Sequence, residues 1–133
     1  MRALLATALA LLAGCGVVAR APQAGLRPGV QTELFFGRVG PDGAIVDDAA
    51  WQDFLTTVVT PRFPDGFTVI DAAGQYRGGA DATITRERSE ILVIVHAGDA
   101  RTEASLDEIV AAYKKRFGQH AVLRVDGTAT IGF

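Results

Sequence analysis

Apolar residues change their spacing along this chain, and the changes mark its elements. Ala3 to Ala13 is apolar or small apart from Thr7, and it follows the basic start Met1-Arg2. Gly16 to Val30 is rich in Ala, Gly, Pro and Val, has neither a helical nor a strand period, and reads as a tether. From Gln31 the pattern becomes that of a folded domain. Thr32 to Arg38 is dense in strand formers and is closed by the turn Gly40-Pro41-Asp42-Gly43.

Trp51, Phe54, Leu55 and Val58 then fall at i, i+3, i+4 and i+7, one face of a helix that Asp47 or Asp48 can cap. Pro61 ends it, because the residue before a proline is pushed out of helical geometry. A second Pro-Asp-Gly turn at Pro64 to Gly66 leads into a strand from Phe67 to Ala73. A glycine-rich polar connection is expected from Gly74 to about Ala82. Thr83 to His96 is the longest strand, ending in the apolar run Ile91 to Val95.

The second helix is marked by a capping box, Ser105 with Glu108, and by a stripe of Leu106, Ile109, Val110, Tyr113 and Phe117. Lys114 to Arg116 near its end suit the helix dipole, and Gly118 is placed for the C-cap. Val122, Leu123 and Val125 form a last strand. Asp126-Gly127 either turns it back as a hairpin or bulges one long strand, and the pattern does not choose between them.

The order βαββαβ predicts an α+β fold of ferredoxin-like type, an antiparallel sheet with two helices on one face. In that topology the first and third strands are central, and here they are the most apolar. Their polarity does not alternate cleanly: Phe35 opposes Leu34 and Phe36, and Ile91, Val93 and Val95 oppose Leu92 and Ile94. A sheet face turned away from the helices and wetted by water should be polar. A covered open face is therefore expected, with a second subunit as in dimeric α+β barrels, an apolar ligand, the tether or the C-terminal tail as the cover. A homodimer through that face is the preferred reading.

The single cysteine, Cys15, stands at the end of the first apolar run in Leu11-Leu12-Ala13-Gly14-Cys15-Gly16. Leu12 to Cys15 resembles the lipobox of bacterial lipoproteins, in which the thiol receives diacylglycerol and becomes the mature N-terminus. An ordinary signal cut at Ala19-Arg20-Ala21 would leave Pro22 after the scissile bond, and an anchor helix over Ala3 to Ala19 is at the short limit and interrupted by glycines. The expected division is a lipoprotein signal peptide at residues 1–14, a lipidated N-terminus and flexible tether at 15–30, and one α+β domain at 31–133. Gly16 is not the aspartate that resembles an inner-membrane retention signal. The expected address is thus the cell envelope, lipid-anchored, on the outer membrane facing the periplasm if the organism is Gram-negative.

Net charge of −2 gives no basic field for nucleic acid. One cysteine and two histidines without metal spacing argue against a metal site, and no cofactor is expected. A Ser89, His96 and Asp99 triad can be written on paper but lacks a nucleophile elbow. The richest polar stretch is Arg86-Glu87-Arg88-Ser89-Glu90. Alternation places Arg86, Arg88 and Glu90 on one face and Glu87 and Ser89 on the other, which serves cross-strand ion pairs. The functional reading joins Glu33, Arg38, Asp71, Gln75, Tyr76, Arg86, Glu87 and Arg88 at one sheet end, as a ligand or interface cluster in which an arginine fork grips a small anion.

Several stretches together resemble a known family: Thr32 to Arg38, Pro61 to Val69, Gly74 to Arg77, Arg86 to Ser89, Ala112 to Gln119 and Val122 to Asp126. They resemble the small bacterial secreted proteins and lipoproteins grouped as domain of unknown function 3574. The resemblance carries over no established reaction, cofactor or catalytic residue. That family often ends with a cysteine near the C-terminus, where this chain has Thr128-Ala129-Thr130. The function expected is an envelope lipoprotein whose domain binds a partner or itself without catalysis. The alternative is a small-molecule enzyme of the dimeric α+β-barrel kind acting on an anionic substrate, with Glu33, Asp71 or Glu87 as acid or base.

Overall fold

A computed structural model describes residues 25–78 and 83–132 of the chain. The elements run β1 (Arg27–Gly37), α1 (Asp48–Phe54), β2 (Thr68–Gly78), β3 (Thr83–His96), α2 (Ala100–Phe117) and β4 (Leu123–Ile131), with a π-helical turn at Leu55–Val59 continuing α1. The strands form one antiparallel sheet in the order β2-β3-β1-β4. This is the expected ferredoxin-like arrangement, with β1 and β3 central. The signal segment, Cys15 and the tether as far as Ala24 lie outside the described residues.

Leu34 and Phe36 of β1 and Leu92 and Ile94 of β3 point to the helix side, where they bury against Trp51, Phe54, Leu106, Ile109 and Tyr113. Aromatic rings fill the centre. Phe36 meets Tyr113 at 4.6 Å between centroids and Phe54 meets Tyr113 at 5.1 Å, both edge to face. That geometry aligns the ring quadrupoles and adds about 0.5–1.5 kcal/mol per pair beyond burial.

The helix ends follow local chemistry. Asp47 is the cap of α1, accepting from the Ala50 N–H at 2.8 Å. The last turn is wider than an α-turn, with Thr60 N–H reaching Leu55 O. That extra residue per turn brings Val59, rather than the expected Val58, fully into the core. At the other helix Gly118 takes the left-handed C-cap conformation at φ 65°.

Some boundaries differ from the sequence pattern. β1 begins at Arg27, four residues before the expected domain start at Gln31. Beyond Val30 it pairs with β4 alone, so Pro28 sits where a missing N–H leaves no ladder bond unmade. β2 continues through Gly74 to Gly78, because the glycine-rich stretch expected as a connection pairs with β3 residue by residue. α2 starts at Ala100, not at Ser105. Asp99 caps it by accepting from the Thr102 N–H and hydroxyl, and its carboxyl lies below the usual aspartate range for that reason. β4 is a single strand whose register with β1 runs unbroken through Asp126-Gly127.

Candidate functional site

Sheet pairing distributes the sequence-predicted cluster over two faces. Residues directly opposite in a ladder share a face. On the helix side lie Arg38, Asp71, Gln75, Arg86 and Arg88; on the open side lie Glu33, Tyr76 and Glu87. The predicted convergence of all eight does not occur.

Arg38, Asp71 and Arg88 do meet, with two residues outside the predicted set, Asp48 and Glu90. Arg38 follows β1 and is almost fully buried. Its Nε donates to Val46 O at 2.6 Å, one terminal nitrogen to Glu90 Oε1 at 2.5 Å, and the other to Asp48 Oδ1 at 2.8 Å. Its guanidinium also lies 5.8 Å from the centre of the Trp51 ring. Arg88 donates to Asp71 Oδ1 and Asp48 Oδ1, both at 2.7 Å.

These contacts set the ionisation of the carboxylates. The hydrogen bond from Arg38 holds Asp48 below the ordinary aspartate range, and the bond from Arg88 does the same for Asp71. Glu90 goes the other way: burial, with the Asp71 charge nearby, raises it against the pull of Arg38. The anion gripped by the Arg38 fork is the protein's own glutamate. Two arginines and three carboxylates leave no cationic charge in the cluster over for an anionic ligand. Gln75 and Arg86 face each other across β2 and β3, two positions beyond the Ala73–Arg88 pair and outside this network.

On the open face Glu33 accepts from Gln31 Nε2 at 2.9 Å. Glu87 lies over Gly37: a Cβ added there would stand 3.0 to 3.2 Å from its carboxyl atoms. Gly74, opposite Glu87 in the ladder, leaves its other flank open. The two glycines form a recess that takes the side chain down against the sheet. Around it the face is apolar, with Phe35, Ile91 and Val93 half-buried and Ile70, Tyr76, Val95, Leu123 and Val125 exposed.

A third polar group joins β1, β3 and β4 at the opposite end of the helix side. Thr32 Oγ1 donates to Asp126 Oδ1 at 2.5 Å, and Thr32 Oγ1 and His96 Nε2 are 2.9 Å apart. The Gly98 N–H donates to His96 Nδ1 at 3.1 Å. The threonine has a single proton, given to the carboxylate, so Nε2 must carry the imidazole proton and donate to Thr32. The ring is therefore a neutral tautomer with both nitrogens engaged. The paper triad does not assemble, because Ser89 points to the open face and Asp99 caps α2. Alternation could have flagged Thr32 and His96 as a buried polar pair, but their partner Asp126 depends on β4 running on past Gly127.

Residues 31–133 match the family described as protein of unknown function, DUF3574. The chain belongs to this family. No curated protein matches it by sequence. Among solved structures, the DUF3574 chain is similar to a phage SAM lyase in complex with S-methyl-5'-thioadenosine, at 13% identity and TM-score 0.58, covering 89% of this chain and 97% of that one. The same lyase in its apo state is similar at 13% identity and TM-score 0.53, with 86% and 96% covered. CutA from Synechococcus elongatus is similar at 12% identity and TM-score 0.53, with 82% and 87% covered. At such identities the likeness is one of fold, and it agrees with the ferredoxin-like topology of the DUF3574 domain.

Proposed function

We propose that this DUF3574 member is a lipid-anchored domain of the bacterial cell envelope that self-associates through its open sheet face. The supporting observation is the composition of that face. Phe35, Ile70, Ile91, Val93, Val95, Leu123 and Val125 lie on it, and among the described residues no helix or loop of the chain covers them. Four strands of this length present a surface of roughly 20 Å by 30 Å. Two copies face to face would bury more than the roughly 1,000 Å² that a specific interface needs. A second copy suits it better than a charged partner, since Glu87 lies flat in its recess and Glu33 is bonded to Gln31.

The envelope address rests on the lipobox-like Leu12 to Cys15, and the cysteine is the attachment point in this reading. The enzymatic alternative draws less support. Its acid–base candidates Glu33 and Glu87 and its substrate-orienting arginines lie on opposite faces of the sheet, and Asp71 is held by Arg88.

Analytical ultracentrifugation of the chain tests the association. The expected result is a dimer that dissociates in Val125→Lys, an exposed substitution that leaves the core alone. A monomer at all concentrations overturns it. Metabolic labelling with a fatty acid tests the anchor: label is expected on the wild-type chain and not on Cys15→Ser, and an unlabelled wild-type chain overturns the lipid reading.

A further inference from the structure

A cavity among the described residues lies apart from the Arg38 network, at the edge of the open face, with Val95 in its lining. It has a volume of about 710 Å³ and sits at the end of the sheet where β3 stops at His96 and β1 begins at Arg27. The loop through Phe63 and Pro64 makes one wall, and Arg101 and Ser105 of α2 make the other. Its size is that of a small-molecule site, about 300–1,000 Å³.

We propose that this cleft binds an oxyanion, a phosphate or carboxylate group carried by a small organic molecule or a lipid headgroup. Arg27, Arg62 and Arg101, from separate elements, line it together with the carboxylate of Asp65; Arg62 is paired with Glu108 and Arg27 has a contact of its own, so Arg101 is the guanidinium offered to a ligand. Their roles differ. Arg62 is part of the wall, with Nε on Glu108 Oε2 at 3.0 Å and a terminal nitrogen on Val58 O at 2.7 Å. Arg101 makes no hydrogen bond or ion pair with another side chain among the described residues. It stands in the first turn of α2, where the helix dipole also favours negative charge. A planar guanidinium in that position offers two parallel donors to an oxyanion.

Ser105 supplies a second hand. The sequence pattern reads it as a capping residue, but Asp99 does the capping, and Ser105 turns out to lie one turn into the helix on the cleft wall. His96 is excluded as a ligand contact because both ring nitrogens are engaged.

An oxyanion of this kind has two sources, a soluble phosphate ester or a lipid headgroup. The chain enters the described fold at Gly25, two residues before Arg27, so a lipid on Cys15 would bring headgroups towards the cleft. The headgroup source rests on the lipid-anchor reading; the soluble source does not.

Calorimetric titration of the chain with glycerol 3-phosphate, and separately with phosphatidylglycerol and phosphatidylcholine vesicles, tests the proposal. Arg101→Gln is expected to weaken binding by about tenfold or more, the loss of a charge-assisted hydrogen bond. Arg116→Gln removes an equal charge that pairs with Asp53 outside the cleft, and should leave binding within about twofold. Saturable binding of glycerol 3-phosphate with that variant pattern supports a soluble ligand. Binding confined to phosphatidylglycerol vesicles with the same pattern supports a headgroup. Absence of binding to either probe, or binding that Arg101→Gln and Arg116→Gln affect equally, overturns the site. Since fatty-acid labelling of Cys15 is read independently, failure of the anchor and failure of the cleft remain distinguishable.

Discussion

Arg38 and Glu90 meet at 2.5 Å with both side chains only 3% exposed, a buried ion pair between the end of β1 and the middle of β3. The pair is completed by Asp48 and by the Val46 carbonyl on the guanidinium side. Its net contribution is small, because desolvating two charges offsets most of their attraction. Removing one partner is a different matter. Glu90→Leu leaves one terminal nitrogen of the buried Arg38 guanidinium without its acceptor, although Asp48 still bonds the other, and is expected to cost about 1–3 kcal/mol. Arg38→Met with Glu90→Leu together should cost less than either change alone. Urea unfolding midpoints of the two single variants and the double variant measure this, and additive losses would count against a coupled pair.

The same network shows how far the sequence could be read. Alternation along Arg86 to Glu90 correctly places Arg88 and Glu90 together and Glu87 opposite them. The same parity rule separates Glu33 from Arg38, but it reaches Gln75 and Tyr76 only once β2 is seen to run on through Gly74 to Gly78, a stretch the pattern reads as a connection. Asp48 was not legible, since next to Asp47 it looks like a second cap, and only the fold brings α1 over the end of β1. The start of α2 misled for a related reason. Asp99 with Thr102 and Ser105 with Glu108 are both valid beginnings, and the earlier one prevails because its carboxylate satisfies an N–H as well as a hydroxyl.

The two glycines of β1 that approach other strands should respond differently to a methyl group. At Gly29 a Cβ would meet Ile131 Cδ1 at 2.8 Å and the His96 carbonyl oxygen at 2.9 Å. Backbone cannot step aside, so Gly29→Ala is expected to cost about 2 kcal/mol. At Gly37 the obstacle is the Glu87 carboxyl group, which can swing away. Gly37→Ala should therefore cost about 1 kcal/mol or less while lifting Glu87 off the sheet. Thermal unfolding compares the two losses. Sedimentation should show weaker self-association in Gly37→Ala, and unchanged association would argue that Glu87 does not lie at the interface.

Acid sensitivity has a sign that can be assigned group by group. Hydrogen bonds from Thr32 and Arg124 hold Asp126 below its ordinary range. On acidification the unfolded chain binds that proton first, so the stability from Asp126 is present above the usual aspartate pKa and lost as pH falls through the lowered one. Glu90 is raised by burial. The folded protein takes up its proton first, so acidification there favours the fold. Urea midpoints followed from about pH 7 to about pH 3 should fall less steeply in Asp126→Asn and more steeply in Glu90→Gln than in the wild-type chain. Parallel curves for all of them would remove the assignment.

Alkaline behaviour turns on Tyr113. Its hydroxyl donates to Gly37 O at 2.8 Å beneath the end of β1, and burial pushes its ionisation up to about 12. An unfolded tyrosine ionises near 10. The folded protein therefore holds the phenolic proton where the unfolded chain releases it, and the stability this contributes is lost as pH rises between those values. The chain has two tyrosines, so Tyr76→Phe leaves Tyr113 as the only chromophore of its kind. Tyrosinate absorbance in that variant should rise late, near pH 12, and together with loss of the fold's circular dichroism. A reversible titration near pH 10 with the fold intact would mean that the hydroxyl is not held under the sheet. Tyr113→Phe separates the hydrogen bond from the ring: it should lower stability by about 1 kcal/mol while keeping the aromatic core.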